Sequence, residues 1–199
     1  MTGPLAYVIA VPLHVLPDGR EIAIRPIRAD DGDRLRASHA RLSPESRYRR
    51  FLAAKPELSS ADARYLVEID GSDHFALVAT APDQDGTPIV GVARYIRSPD
   101  DREAAEFAIV VADAYQGQGL GTELVARLGD AAVARGVRRF RATMLADNVA
   151  IHRLMERVAG GTLDERRFGE VSEVEVDLPA RSDDIRSRSA AMIAACVGS

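Results

Sequence analysis

The chain has 199 residues, of which 46% are apolar and 28% are charged, and its formal net charge is −4. This length and composition are typical of one globular domain, and they exclude a disordered or membrane-embedded chain. The negative net charge disfavours a nucleic acid as the main partner, because proteins that bind the phosphate backbone normally carry a basic excess.

The single cysteine, Cys196, excludes an internal disulfide and a cysteine-based zinc site within one chain. A reducing compartment, the cytoplasm, is therefore predicted, and no metal is expected. The apolar segment from Leu5 to Leu16 is too short to span a bilayer, and no basic residue precedes it. We interpret it as an extended arm or strand, and we expect neither a signal peptide nor a membrane partner.

The first clear element is a strand at Glu21 to Arg28, "EIAIRPIR", in which apolar and polar residues alternate. Two helices are predicted after it. The first begins at Ser43 as N-cap with Pro44 in the first helical position. The second begins at Ser59, which is spaced from Asp62 as in a capping box.

Three strands are predicted next. They are "HFALVAT" at His74 to Thr80, "PIVGVARYIR" at Pro88 to Arg97 and "AAEFAIVV" at Ala104 to Val111. The segments "PDQDG" and "SPDD" between them are short enough for hairpins. An antiparallel meander is therefore predicted.

The second half of the sequence alternates helices with strands. Apolar residues recur at helical spacing from Leu120 until Gly136, and a strand follows at Arg138 to Leu145. Because a helix connects this strand to the previous one, the two are predicted to be parallel neighbours. A second amphipathic helix begins at Asn148, and "EVSEVEVDL" is predicted to be a strand with one solvated face.

The stretch "DAYQGQGLGTEL", Asp113 to Leu124, places three glycines between a strand and a helix. Each ordered glycine weakens the local structure, so this sequence makes sense if a ligand must approach the backbone closely. The first amides of a helix lack internal partners and lie at the positive end of its dipole. A pyrophosphate is suited to this site.

Two glycine-rich phosphate motifs fit the stretch poorly. A Walker A loop needs a lysine after its last glycine, and here Thr122 and Glu123 follow Gly121. A dinucleotide fingerprint counted from Gly117 has Thr122 where the third glycine belongs. The pattern Q/R-x-x-G-x-G/A does fit, with Gln116, Gly119 and Gly121 in its fixed positions.

With this motif in this element order, the chain resembles the GNAT superfamily of acyl-CoA N-acyltransferases from about Glu21 to Leu178. The resemblance implies an α/β (α+β mixed-sheet) fold, in which an antiparallel meander precedes a β-α-β-α-β unit with two parallel neighbouring central strands. Residues 21–179 would form the acetyltransferase domain, between an N-terminal arm at residues 1–20 and a C-terminal tail at residues 180–199.

The resemblance also implies an acetyl-CoA site without a metal. The backbone of Gln116 to Thr122 would hold the pyrophosphate, the strand end at Ile109 to Val111 would pair with the pantetheine arm, and Asn148 would contact that arm. The implied contact residues are Ile109, Val110, Val111, Gln116, Gly117, Gln118, Gly119, Leu120, Gly121, Thr122 and Asn148. Asn148 is equally interpretable as a plain N-cap.

Glu106 is the candidate general base. An alkylammonium has a pKa of about 10.4, so an attacking amine must lose a proton at neutral pH. A carboxylate inside a partly buried strand is uncommon unless it is used, and Glu106 matches the glutamate that many GNAT enzymes use as base. The alternative is an outward-facing strand residue like Glu173 or Glu175.

The family's usual acid, a tyrosine seven residues after the helix-opening asparagine, is replaced by Met155, interpreted as core filler. Tyr115 and Tyr48 are the alternatives for the acid. His74 and His152 are interpreted as polar-edge residues. "RYRR", Arg47 to Arg50, is interpreted as a solvated helix face, or else as a guide for an acidic surface or a CoA phosphate.

The stretches "IRPIRADD", "LSPESRYRRF", "DHFALVA" and "AEFAIVVADAYQGQGLG" are similar to the catalytic domain of bacterial Pat-type protein-lysine acetyltransferases. Some members carry a cyclic-nucleotide-binding domain before it, which is not expected here. The resemblance implies acetyl transfer to a protein lysine. A small-molecule amine as acceptor and a noncatalytic CoA-binding module stay open, as does a homodimer formed through the apolar arm or the tail "AAMIAACV".

Overall fold

The computed structural model describes residues 13–82, 86–159 and 163–179. The predicted tail at residues 180–199, with Cys196, and most of the predicted arm lie outside these residues. The strands are β1 (Leu13–Val15), β2 (Glu21–Pro26), β3 (His74–Thr80), β4 (Ile89–Arg97), β5 (Ala104–Val111), β6 (Arg139–Leu145), β7 (Leu163–Phe168) and β8 (Val171–Asp177). The helices are α1 (Gly32–Arg41), α2 (Pro44–Phe51), α3 (Ser60–Val67), α4 (Leu120–Ala134) and α5 (Val149–Val158).

The described strands form one mixed sheet in the order β1-β2-β3-β4-β5-β6-β8-β7. Strands β3, β4 and β5 pair antiparallel, as the predicted meander requires. Strands β5 and β6 pair parallel, because α4 returns the chain to the same end of the sheet. The predicted mixed α/β fold is confirmed.

Helices cover both faces of the sheet. On one face α4 and α5 pack on a large apolar cluster that includes Leu124, Phe140 and Met155. On the other face α1 and α3 pack on a smaller cluster that includes Leu35, Val67 and Val92. Because both faces are covered, β3 and most of β4 are buried instead of alternating between core and solvent.

The prediction of only two helices between the first strand and the meander was wrong, since α1 precedes the two that were expected. Its sequence, "GDRLRASHAR", buries only Leu35 and His39, so it lacks the apolar stripe by which the other helices are recognised. Tertiary contacts stabilise it instead: Arg25 of β2 binds both carboxylate oxygens of the buried Asp31 at 2.7 Å, just before α1 begins.

The predicted caps of α2 and α3 are present. The Ser43 hydroxyl accepts a hydrogen bond from the Ser46 amide, with Pro44 in the first turn. Ser59 and Asp62 form the reciprocal capping box. The predicted arm includes β1, which pairs with β2 at the edge of the sheet. These local signals depend on neighbouring residues alone, so they are readable from sequence.

Buried His39 makes the stability of the α1–α3 layer depend on pH. Its side chain is 4% exposed, its Nε2 donates to the carbonyl of Lys55 at 2.9 Å, and its ring packs edge-on against Phe51. Burial lowers the pKa of His39 from 6.5, and the neighbouring cations Arg47 and Lys55 act in the same direction. The folded protein therefore holds His39 neutral, while the unfolded chain takes up its proton near pH 6.5.

We expect the free energy of unfolding to fall as the pH is lowered from 7.5 to 5.5. His39 contributes its full stabilisation above pH 6.5 and loses it below, by at most about 1.4 kcal/mol per pH unit for one proton. Carboxylates stay ionised in both states over this range. Urea unfolding at the two pH values would measure the slope, and His39→Gln should make it shallower; an unchanged slope in that variant would assign the effect to other groups.

Candidate acetyl-CoA site

The site lies where the parallel strands β5 and β6 separate. They pair only at Ala104 with Arg139, Ala105 with Phe140 and Glu106 with Arg141. Beyond Glu106, β5 stays paired with β4, but its other edge faces a gap. Peptide groups of alternate residues in Phe107–Val111 therefore face this gap, where an extended ligand could pair with them. The Val111 carbonyl already accepts a hydrogen bond from Gln116 Nε2 at 2.9 Å.

This gap opens into a cleft of about 640 Å³, within the range of about 300–1,000 Å³ found for small-molecule sites. Of the residues predicted from sequence, the cleft is lined by Glu106, Ile109, Val110, Val111, Gln116, Gly117, Gly119, Gly121, Thr122 and Asn148. The fold thus brings together residues from β5, the glycine-rich loop, α4 and α5.

The glycine-rich loop forms one wall of the cleft. Gly117 and Gly119 have φ angles of +72° and +86°, in the left-handed region that side chains other than glycine rarely adopt. Gly119 is the N-cap of α4, so the amides that follow it have no carbonyl partner within the helix. The loop therefore presents unpaired N–H groups at the positive end of the helix dipole, a site suited to an anion.

Glu106 lies at the closed end of the gap, as the last β5 residue paired with β6. Its side chain is exposed, lines the cleft and alternates with the buried Ala105 and Phe107. The strand pleat fixes this direction because neighbouring residues point to opposite faces. A carboxylate in this position can take a proton from a group that reacts at the end of the gap.

Three predicted contact residues have additional or different environments. Asn148 caps α5, because its Oδ1 accepts a hydrogen bond from the Ile151 amide at 3.4 Å, and it also lines the cleft. Leu120 is fully buried in the core. Gln118 lies outside the cleft lining, and its Oε1 accepts a hydrogen bond from Arg20 at 3.0 Å. Leu120 and Gln118 would therefore contact a ligand held by the loop through backbone atoms only.

The candidate acids Tyr115 and Tyr48, and the Met155 that replaces the family's usual acid, do not line the cleft. Met155 is fully buried in the core. The ring of Tyr115 lies under the guanidinium of Arg20, 4.0 Å from its centroid. Tyr48 is 45% exposed, and neither tyrosine lines the cleft. Nδ1 of His152 lies 3.7 Å from a carboxylate oxygen of Glu165.

Residues 21–160 match the family described as Acetyltransferase (GNAT) domain. The chain belongs to the GNAT family. It is 34% identical to Acetyltransferase Pat of Mycolicibacterium smegmatis over 176 residues, 87% of this chain and 50% of that protein. It is 37% identical to an acetyltransferase of Pseudomonas aeruginosa over 139 residues, 70% of this chain and 74% of that protein. The chain thus spans about half the length of the first of these relatives.

Solved GNAT structures show the same architecture. The GNAT domain of S. lividans PAT superposes with a TM-score of 0.73 at 31% identity, covering 84% of this chain and 96% of that one. A cAMP-binding acyltransferase from Mycobacterium smegmatis gives a TM-score of 0.60 at 31% identity, covering 89% of this chain and 52% of that one.

Hydrogen bonds also join the glycine-rich loop of this GNAT domain to α2, and the sequence did not predict them. The carboxylate of Asp113 accepts hydrogen bonds from the Ser43 amide, the Ser43 hydroxyl and the Ser46 hydroxyl at 2.6–2.9 Å. Gln116 donates through Nε2 to Ser46 and to the Val111 carbonyl. Burial opposes ionisation, but the hydrogen bonds from Ser46 and Ser43 hold the pKa of Asp113 below its ordinary value.

Four arginines that line the GNAT cleft give it a positive charge although the chain is net negative. They are Arg49 and Arg50 on α2 and Arg153 and Arg157 on α5, against the single carboxylate of Glu106 among the described lining residues. Ala150, Arg153, Leu154 and Arg157 follow the i, i+3, i+4, i+7 spacing of one helix face. That spacing places Arg153 and Arg157 on one face of α5 and could have predicted them as cleft residues. Apolar residues that face the core have the same spacing, so the pattern alone does not distinguish the two.

Arg157 has an unusual environment within this stripe. Its Nε is buried and forms no hydrogen bond within the described residues. A buried donor without an acceptor is costly, and one buried side-chain atom in each of Arg139, His152 and Ser172 is in the same condition.

No group of three or more His, Cys, Asp or Glu residues in the described ranges could hold a metal ion. Over the same ranges, no helix is long and apolar enough to cross a membrane.

Proposed function

We propose that this chain transfers an acetyl group from acetyl-CoA to a primary amine by direct attack in a ternary complex. The observation that carries the proposal is the placement of Glu106 at the closed end of the β5–β6 gap, with the glycine-rich loop along the same cleft. One feature binds the donor and the other activates the acceptor at a single reacting centre.

In this proposal acetyl-CoA lies along the length of the cleft. The loop amides from Gly117 to Thr122 would hold the pyrophosphate, as helix N-termini do in other nucleotide sites. Arg157 would bind another anionic group of the donor. The free edge of β5 at Ile109 to Val111 would pair with the pantetheine amides, as an added strand pairs with a sheet edge.

Glu106 would act on the acceptor. Its carboxylate takes the proton from the amine as the nitrogen attacks the thioester carbon, so that the C–N bond forms and the C–S bond breaks. Coenzyme A leaves as a thiolate and takes a proton from water. No tyrosine lines the cleft among the described residues, so water is the proton donor in this proposal.

We propose a protein lysine side chain as the acceptor. The similarity to the Pat acetyltransferase and to the GNAT domain of S. lividans PAT supports this assignment. A small-molecule amine is the second candidate. An acceptor of either kind would contact the side chains of Arg49, Arg50 and Leu52, which line the cleft.

The test is the release of CoA thiol from acetyl-CoA over a panel of lysine-containing proteins, polyamines, amino acids and aminoglycosides. We expect release with protein acceptors, and a rise in melting temperature with acetyl-CoA alone, since a native-state ligand stabilises the fold by mass action. Release with a small amine only would change the acceptor. A melting shift without release for any acceptor would favour a noncatalytic CoA-binding module, and no shift would overturn the donor assignment.

A further inference from the structure

A second, smaller cavity adjoins the cleft on the Glu106 side of the sheet. Its volume is about 30 Å³, the space of about two water molecules. It lies between helices α1–α3 and strands β4 and β5, and it shares Arg50, Phe51, Ala108 and Val110 with the large cleft. A group bound at the reacting centre could therefore extend into it past β5.

The cavity is apolar except for a few side chains, among them two arginines. Its walls include Leu35, Leu58 and Leu66, together with Arg50 and Arg94. Arg94 is buried, whereas Arg50 is only partly buried. A buried cation is normally paired with a carboxylate or another anion, because an unpaired charge in such surroundings is costly. The partners of these two arginines therefore indicate what the cavity is built to hold.

Arg94 lies on β4, is only 4% exposed and has neutral hydrogen-bond partners. It donates to the Leu66 carbonyl at 3.3 Å and lies 3.1 Å from Nε2 of His74. Burial and the charge of Arg94 lower the pKa of His74, so this ring is neutral and accepts. Burial, and next the charge of Arg50, lower the pKa of Arg94 to about 10.

Arg50 lies at the end of α2, is partly buried, and forms no side-chain hydrogen bond within the described residues. Its guanidinium lies 4.9 Å from the ring centroid of Phe51. Burial lowers the pKa of Arg50, and the negative charge of Glu106 opposes this shift. Glu106 is thus a charged neighbour of Arg50, whereas the hydrogen-bond partners of Arg94 are neutral.

We propose that Arg50 and Arg94 form a subsite for a substrate carboxylate. The proposal rests on the acyl transfer described above, with either an acyl donor other than acetyl-CoA or the small-molecule amine that is its second acceptor candidate. A carboxylate matches the planar fork of a guanidinium and occupies about the space of the two waters that the cavity admits. Binding it would give Arg94 the charged partner that its neutral hydrogen-bond partners do not supply. The role of Arg50 is to position the substrate.

Two kinds of substrate could supply this carboxylate. One is a donor with a dicarboxylic acyl group, such as a malonyl or succinyl thioester, whose far end would extend from the reacting carbonyl into the cavity. The other is a free amino acid acceptor, whose carboxylate would enter as its amine faces Glu106. A lysine within a polypeptide has no such carboxylate, and α1 and α3 cover the cavity from outside.

The test compares wild type with Arg50→Gln and Arg50→Lys. The matched control is Arg47→Gln, which removes one charge from the same helix at a residue outside both cavities, where Nη1 donates to the Pro56 carbonyl. Binding of acetyl-CoA and succinyl-CoA is measured by calorimetry and thermal shift. In the acceptor arm, kcat/KM is compared for a free amino acid and its amide.

We expect wild type to favour the carboxylate-bearing member of one pair by at least about tenfold, which corresponds to one charge-assisted hydrogen-bonded contact. Arg50→Gln should remove this preference, Arg50→Lys should keep part of it, and Arg47→Gln should keep all of it. The preference is taken as a ratio within each pair, so a loss of affinity common to both members cancels. The pair that responds identifies the source of the carboxylate.

Two results would overturn the subsite while leaving the proposed function intact. One is wild-type turnover with acetyl-CoA and no preference in either pair; the other is a preference that Arg50→Gln leaves unchanged. Failure of all variants to bind any CoA thioester would instead overturn the proposed function, and the subsite with it. Unfolding midpoints of the Arg50 variants, compared with that of wild type, check that these variants are folded.

Discussion

Glu106→Gln is expected to lower kcat by about 10²- to 10⁴-fold, the usual contribution of a general base. Glutamine keeps the size of the side chain but accepts no proton, so the acceptor amine must lose its proton before it attacks. Acetyl-CoA affinity should change little, because the donor contacts proposed here come from the loop, the β5 edge and α5. Turnover is measured as the release of CoA thiol, and acetyl-CoA affinity is measured by calorimetry. The two measurements separate the effect on kcat from the effect on donor binding.

The pH dependence of this variant gives a sharper readout. The neutral fraction of a lysine amine rises about tenfold per pH unit below a pKa of about 10.4. The deficit of Glu106→Gln should therefore shrink as the pH is raised, since fewer amines need a base. Glu103→Gln is the matched control: it makes the same chemical change three residues earlier, at an exposed side chain outside the cleft. Equal activities of the two variants would remove Glu106 from the mechanism.

Gly119→Ala is expected to weaken acetyl-CoA binding by at least about tenfold, or about 1.4 kcal/mol. Gly119 has a φ of +86° at the start of α4, and the amides that follow depend on this conformation. A Cβ would meet no atom within 4 Å, so the cost arises from backbone strain of about 1–2 kcal/mol. Relief of that strain would turn the amides away from the bound phosphate.

Gly136→Ala is a matched control for this change. Gly136 follows the other end of α4 with a φ of +87°, and its added Cβ would also have open space. Both variants should lose similar stability, which for a chain of this size lowers the melting temperature by about 2–4 °C per kcal/mol. Only Gly119→Ala should lose donor affinity. Equal acetyl-CoA affinities in the two variants would show that the loop conformation does not hold the donor.

The strength of local signals explains which elements were predictable. Capping residues such as Ser43 and Ser59, and the apolar spacing of α4 and α5, act within a few residues and are visible in the sequence. Helix α1 was not predicted because its stability comes from the contact of Arg25 with Asp31 and from burial of Leu35, which depend on distant residues. Strand β7 was not predicted by itself, and its burial pattern shows no alternation that would have marked it.

The candidate site divides in the same way. By itself the sequence determined the mixed α/β order, the glycine-rich helix start and Glu106 as a strand carboxylate near it, because each depends on spacing along the chain. The tertiary structure alone decided where β5 and β6 separate, that Glu106 lies at that point, and that Arg157 and Arg50 face the same cleft. It also decided that Asp113 ties α2 to the loop and that Arg94 lies beside Arg50. These groups are far apart in sequence, and only the folded sheet and its helices bring their charges within reach of one another.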